Sequence, residues 1–211
     1  MIQFSRRLAL GALAALTVTP LWAEGEAPAA TTPAAPVIEV MSLGNPDATV
    51  TVIEYASFTC PHCANFHKDV FPPLKTEYID TGKINFVYRE VYFDRFGLWA
   101  GMLARCGGKD KYFPVAKLIY ETQQVWIGDG QPATIAENLK KIGRTVGMTD
   151  EQVDACLNDQ VMAEALVADF QTNMDTDQIE GTPTFLINGE KHTGEMPYAE
   201  FKALLDTALA G

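Results

Sequence analysis

A run rich in β-branched residues, Thr49 to Ser57 (TVTVIEYAS), leads after Phe58 and Thr59 into Cys60-Pro61-His62-Cys63. The run has the composition of a strand and is bounded in front by Asn45-Pro46-Asp47. Pro61 suits the first turn of a helix, where its missing N–H is not needed. The spacing therefore predicts a central strand followed at once by a helix that begins at the cysteine pair. A sulfur at that point meets unpaired amides and the positive end of the helix dipole, which favour the anion. Thiolate is the attacking species in disulfide exchange and the better leaving group. Cys63, one turn further on, is expected to be more buried and to resolve a mixed disulfide formed at Cys60. Two intervening residues allow the sulfurs to meet in disulfide geometry. His62 supplies another stabiliser of the thiolate, and a stabilised reduced form makes the disulfide more oxidising.

The helix is expected to run through Ala64, Phe66, His67, Val70 and Phe71, with Pro72-Pro73 kinking or interrupting it before Leu74 to Ile79. Gly82 reads as a stop, and Ile84 to Phe93 as the next strand. From Arg95 to about Thr176 the apolar spacing turns helical, with helices expected near 95–106, 111–123, 132–146, 150–158 and 161–175. Thr149-Asp150-Glu151 reads as a capped start. Thr184 to Asn188 reads as a short strand, Asn188-Gly189 as a hairpin turn, and Pro197 as the opening of a last helix with Phe201, Leu204, Leu205 and Leu209 on one face. The order is β-α-β, a helical insert, then β-β-α. Trp99 and Trp126 read as core anchors, His192 as a hairpin residue, and His67, one helical turn beyond Cys63 and so near the site, as a surface helix histidine without a direct role.

Before the strand lies a different kind of sequence. Arg6 and Arg7 precede an uncharged stretch from Leu8 to Ala23 that is short for a bilayer span. Residues 1–23 are expected to be a signal peptide for general secretion; an uncleaved anchor is the alternative, and although Ser5-Arg6-Arg7 hints at a twin-arginine signal, the following Leu8-Ala9-Leu10 matches that pattern poorly. Residues 24–36 (EGEAPAATTPAAP) read as an Ala/Pro-rich tether. With 47% hydrophobic residues the remainder can build a real core, and a net charge of −11 argues against nucleic acid or anionic membrane as partner. In an exported chain the four cysteines, Cys60, Cys63, Cys106 and Cys156, point first to disulfide chemistry. A structural zinc site needs four ligands. Cys106, Cys156, His67 and His192 offer no second CxxC or HxxxH pair, so no metal is expected.

CPHC after a strand, with Gly181-Thr182-Pro183-Thr184-Phe185 far downstream, resembles the DsbA family of periplasmic disulfide oxidases. The resemblance covers most of residues 45–211. It implies an α/β thioredoxin fold with an inserted helical subdomain: a thioredoxin core at about 37–94 and 177–211, and the insertion at about 95–176. It implies that the Cys60–Cys63 disulfide is donated to reduced, folding exported proteins in the periplasm. Pro183 would be cis, and the Thr182 backbone would pair with an extended client; without CPHC, Pro183 would read as an ordinary trans proline starting an edge strand. Glu54, six positions before Cys60, matches a buried acid that accepts or relays the Cys63 proton; the alternative is an outward-facing strand glutamate. Cys106 and Cys156 resemble the structural disulfide of some alphaproteobacterial members, the alternative being two buried thiols. The family also implies reoxidation by a DsbB-like, quinone-linked membrane protein and no bound cofactor, and a monomer is favoured. Rival readings are a disulfide isomerase or reductase, a non-catalytic client-binding chaperone module, and a zinc- or copper-binding envelope protein.

Overall fold

The five strands stand in the order β1-β3-β2-β4-β5, with β2 (Val50–Ala56) at the centre. The computed structural model describes residues 36–211. The expected signal peptide, and the tether up to its last residue, Pro36, lie outside the described residues. β2 runs parallel to β3 (Ile84–Glu90) and antiparallel to β4 (Thr184–Ile187), so it is hydrogen-bonded on both edges. Its apolar content follows from this position, because a strand covered on both faces has few exposed sites. β5 (Glu190–Thr193) closes the hairpin with β4. Asn188 (φ 48°) and Gly189 (φ 87°) form its turn in the left-handed region that such two-residue loops require. The Asn188 side chain also accepts from the Thr51 amide at 2.8 Å and so ties the turn to β2.

The sequence predicts no strand before Thr49, yet β1 (Met41–Gly44) pairs antiparallel with β3, Met41 opposite Tyr88. Its four residues, MSLG, have no strand periodicity; the open edge of β3 makes the strand. At its other end β3 stops at Glu90 rather than Phe93. The Val91 amide still donates to Ala56 at 2.8 Å, and the chain then turns into α3 (Arg95–Cys106), capped by the Asp94 side chain at the amides of Phe96 and Gly97.

The helix after β2 is a run of four pieces: α1 (Pro61–Asn65), a π-helical turn (Phe66–Val70), α2 (Phe71–Leu74) and a second π-helical turn (Lys75–Ile79). The expected interruption takes the form of the π-helical turn just before Pro72-Pro73. The two prolines occupy the first turn of α2, where a missing N–H costs least, and the widened turn in front of them carries the chain past. The insert comprises α3, α4 (Lys109–Glu121), α5 (Gln123–Ile127), α6 (Pro132–Thr145), α7 (Asp150–Leu157) and α8 (Gln160–Asp177). The helix expected at 111–123 is α4; the short α5, set off from it at Thr122, is not among the expected helices. Cys106 at the end of α3 and Cys156 in α7 form a disulfide with Cα atoms 5.8 Å apart. Arg105, next to it, reaches down to Glu90 at the end of β3 with two bonds of 2.6 and 2.8 Å, and Tyr112 from α4 donates to the same carboxylate at 2.8 Å.

The main core lies between sheet and helices. Phe66 is fully buried with its ring 4.6 Å from Phe185 and 5.6 Å from Phe201. Phe201 and Leu205 of α9 (Tyr198–Ala210) are likewise buried, with Leu204 and Leu209 packed on the margin. Pro197 precedes α9 as its N-cap instead of lying inside it. Trp126 is a core anchor, its indole N–H donating to Ile119 at 2.8 Å; Trp99 is only partly buried, edge-on to Phe96. His192 lies in the hairpin strand β5. Among the described residues no helix is long and apolar enough to cross a membrane.

Candidate active site

Cys60 is the N-cap of α1, and Pro61 takes the first helical position. Their place follows from the way β2 ends. The Cys60 amide donates back to Ser57 at 3.1 Å, and the Ala64 amide donates to the Cys60 carbonyl at 3.2 Å, which starts the helix. The Thr182–Pro183 peptide bond is cis, and the carbonyl of Thr182 lies 3.4 Å from the Cys60 sulfur. Thr182 and Pro183, at the start of β4, therefore face the dithiol from across the sheet end.

The two cysteines, both thiols here, differ sharply. Cys60 is partly exposed, and its pKa is lowered to about 5. The largest cause is the hydrogen bond from the Cys63 thiol; burial opposes it, and Thr182 and the amides of Cys63 and His62 add to it. The Thr182 hydroxyl itself is buried without a hydrogen-bond partner among the described residues. Cys63 is fully buried, and its thiol is pushed far up, first by burial and then by its bond to Cys60 and the negative charges of Cys60 and Glu54. One sulfur is thus an anion at neutral pH and its neighbour a stubborn acid.

His62 is exposed, and its Nδ1 lies 3.0 Å from Glu195, which also accepts from Asn65 at 3.3 Å. That bond, followed by the Cys60 charge, raises the His62 pKa, so the ring keeps its proton to a higher pH beside the thiolate. Glu54 is completely buried in β2. Its two oxygens both lie 3.0 Å from Nε2 of His67, whose side chain is only 7% exposed. The expectation of a surface His67 is therefore corrected. His67 stands four residues after the buried Cys63, so both lie on the inner side of the helical run, and the ring reaches the Glu54 carboxylate.

Three more residues bear on the site without a sequence signal strong enough to find them. Gln123 of α5 is buried and donates from Nε2 to the carbonyls of Phe58 and Cys60, both at 2.9 Å. Thr59 donates to Asp94 at 2.7 Å. Glu195 sits in a loop that reads only as polar. Beside the dithiol runs a groove of about 760 Å³, with Val70, Pro183, Met196, Pro197 and Tyr198 as its apolar lining and His62, Asp69 and Glu195 as its polar one. Among the described residues no three His, Cys, Asp or Glu side chains cluster as metal ligands.

A dithiol of unequal sulfurs at a helix N-terminus, faced by a cis-proline at one end of a mixed sheet, defines a thioredoxin-fold redox protein. The family model described as Thioredoxin matches residues 37–207, and alpha-DsbA1 of Wolbachia pipientis is 30% identical, with a TM-score of 0.76 over 83% of this chain and 93% of that one. The chain belongs to the thioredoxin family, among its DsbA-type members. A Rickettsia bellii protein, provisionally named a protein-disulfide oxidoreductase, is 37% identical over 170 residues, which cover 80% of this chain and 64% of that protein. Disulfide bond formation protein D of Bacillus subtilis is 27% identical over 177 residues, covering 80% of this chain and 77% of its own. The chain spans less than two thirds of the length of the Rickettsia relatives.

The state of Cys60 gives a direct test. The rate of its alkylation by iodoacetamide will rise with pH about a midpoint near 5. A midpoint near 8.5, the value of an ordinary thiol, would remove the physical basis of the site. The sign for stability follows. A thiolate formed from about pH 5 in the folded chain, but only near 9 in the unfolded one, stabilises the reduced fold as pH climbs through that window. The same contribution is lost as pH falls toward 5.

Proposed function

We propose that the chain is a thiol–disulfide oxidoreductase that donates the Cys60–Cys63 disulfide to reduced exported proteins. The observation that carries the reading is the contrast between a partly exposed thiolate at Cys60 and a buried, strongly protonated Cys63. A pair of this kind holds its reduced form well and so gives its disulfide away readily.

In the proposed cycle an unfolded client lies along the groove, its backbone extended beside Thr182 and Pro183. A client thiolate attacks the Cys60 sulfur, the Cys60–Cys63 bond breaks, and Cys63 leaves with the electron pair and takes up a proton. A second client thiolate attacks the client sulfur of the mixed disulfide, and Cys60 leaves as a thiolate. The client has lost two electrons and gained one disulfide; the chain holds a dithiol. His62 and the amides of α1 hold the charge on Cys60, Pro61 fixes the first turn, and Glu54 handles the proton of Cys63. Electrons then pass to a DsbB-like, quinone-linked membrane oxidase, and no bound cofactor is required. The chemistry suits the periplasm, where such an oxidant is renewed.

The test is the redox equilibrium of the Cys60–Cys63 pair against glutathione, with Cys106 and Cys156 intact. A potential well above the value of about −270 mV typical of thioredoxin supports a disulfide donor. A thioredoxin-like potential places the chain among reductases and overturns the reading.

A further inference from the structure

Glu54 is buried in β2, and among the described residues the only hydrogen-bond partner of its carboxylate is His67. We propose that His67 is the proton outlet of the buried cysteine: with Glu54 it forms a relay that hands Cys63 a proton as that sulfur leaves, and recovers one from solvent through a cleft on the far side of its ring. The proposal deepens the disulfide-donor reading and rests on it.

Nε2 of His67 faces the carboxylate, 3.0 Å from each oxygen. The ring is held flat against Tyr120 of α4, with centroids 4.2 Å apart and planes 11° off parallel, and Phe66 meets it edge-on. Nδ1 has no hydrogen-bond partner among the described residues, and it is not among the buried polar atoms left without one. His67 also lines a cleft of about 310 Å³ between its own helical run and α4, walled by Phe71, Phe113 and Ala116. Imidazole suits such a post, because it can accept a proton at one nitrogen and release one from the other.

The charged and titratable neighbours are few. Inward lie Glu54 of β2, Cys63 of α1, Tyr88 of β3 and Tyr120 of α4, the two tyrosine hydroxyls bonded to each other at 2.5 Å. Outward, at the cleft, stand Lys68, Lys75 and Asp80 beside His67's own run, and Lys117 and Glu121 from α4. The negative charge of Glu54 acts on Cys63, so the carboxylate and the sulfur sense each other. When a client thiolate attacks Cys60 and the Cys60–Cys63 bond breaks, Cys63 holds the electron pair and takes the proton shared by Glu54 and His67. The pair, now one proton short, regains it at Nδ1. On reoxidation Cys63 returns its proton by the same route. No oxidant beyond the disulfide itself enters these proton steps.

The experiment measures oxidation of a dithiol peptide by the full oxidised chain, from pH 5 to pH 9, for the parent, His67→Gln and His67→Asn, with and without added imidazole. Both variants keep a hydrogen-bond donor for Glu54 but cannot pass a proton through the ring. The relay predicts a rate at least about tenfold below the parent near neutral pH, a flattened pH profile, and partial recovery with imidazole, on the scale usual for proton-transfer catalysis. Alkylation of Cys60 keeps its midpoint, since His67 acts on the other sulfur. Melting temperatures report any loss of folding separately. Rates within about twofold of the parent at every pH, or a slowing that imidazole leaves untouched and the pH profile does not share, overturn the assignment while the donor reading stands. A parent chain that leaves the peptide reduced overturns the donor reading itself, and this one with it.

Discussion

Cys63→Ser will turn the chain from a catalyst into a trap. Serine cannot form the internal disulfide, so the variant has nothing to donate, and turnover with a dithiol peptide will fall by at least about a thousandfold, as when a covalent nucleophile is removed. Cys60 remains. Part of its acidity goes with the hydrogen bond from Cys63, the largest cause of its lowered pKa, but a serine hydroxyl can donate in its place. Cys60 will therefore still attack disulfide-bearing clients near neutral pH, and the resulting mixed disulfides will persist because no neighbouring sulfur can expel the client. Non-reducing gels of the variant mixed with a disulfide-bonded peptide will show an adduct that dithiothreitol removes. Absence of the adduct, with Cys60 still reactive to iodoacetamide, would mean that the groove does not present clients to this sulfur.

The largest effect on stability is expected at the second cysteine pair. The bridge between Cys106 and Cys156 spans 50 positions of sequence and fastens α3 to α7. In the chain-entropy account a loop of that length is worth about 4 kcal/mol. Replacing both residues by alanine should lower the melting temperature by about 10 °C for a chain of this size, with the Cys60–Cys63 pair still able to exchange. The measurement is thermal unfolding of the double variant beside the parent, both with the active-site pair reduced. A melting temperature changed by less than about 2 °C would show that the interlocked helices, rather than the bridge, hold the insert together.

What the sequence revealed, and what it hid, divides along physical lines. The central strand, the helix starting at Pro61, the Asn188–Gly189 turn and the run of insert helices were legible because each is written in local signals: β-branching, proline position, turn residues and apolar period. β1 was not, since MSLG becomes a strand only against the open edge of β3. The i+4 spacing from Cys63 put His67 near the site, but a polar residue on a helix reads as a surface one until its partner, the buried Glu54, is seen beside it. The cysteines, Glu54 and the Thr182-Pro183 pair could be picked out from motif and spacing. The contacts that surround them could not. Glu195 against His62 and Gln123 against the Cys60 carbonyl join residues 133 and 63 positions apart. Nothing in a polar loop or a Gln-Gln dipeptide announces such a meeting.

The Gln123 contact has a consequence for how this chain can be rebuilt. The insert is not a cassette. Through Gln123 it supplies a donor to two carbonyls of the redox loop, those of Phe58 and Cys60, and through Asp94 at its threshold it holds Thr59. A chimera that exchanges residues 95–177 for the helices of another member strips the Phe58 carbonyl of its side-chain donor and leaves the Cys60 carbonyl only the Ala64 amide, unless a side chain of the graft arrives at the same place. Modular as its topology looks, the molecule has one mechanical unit at the dithiol, and its two halves must change together.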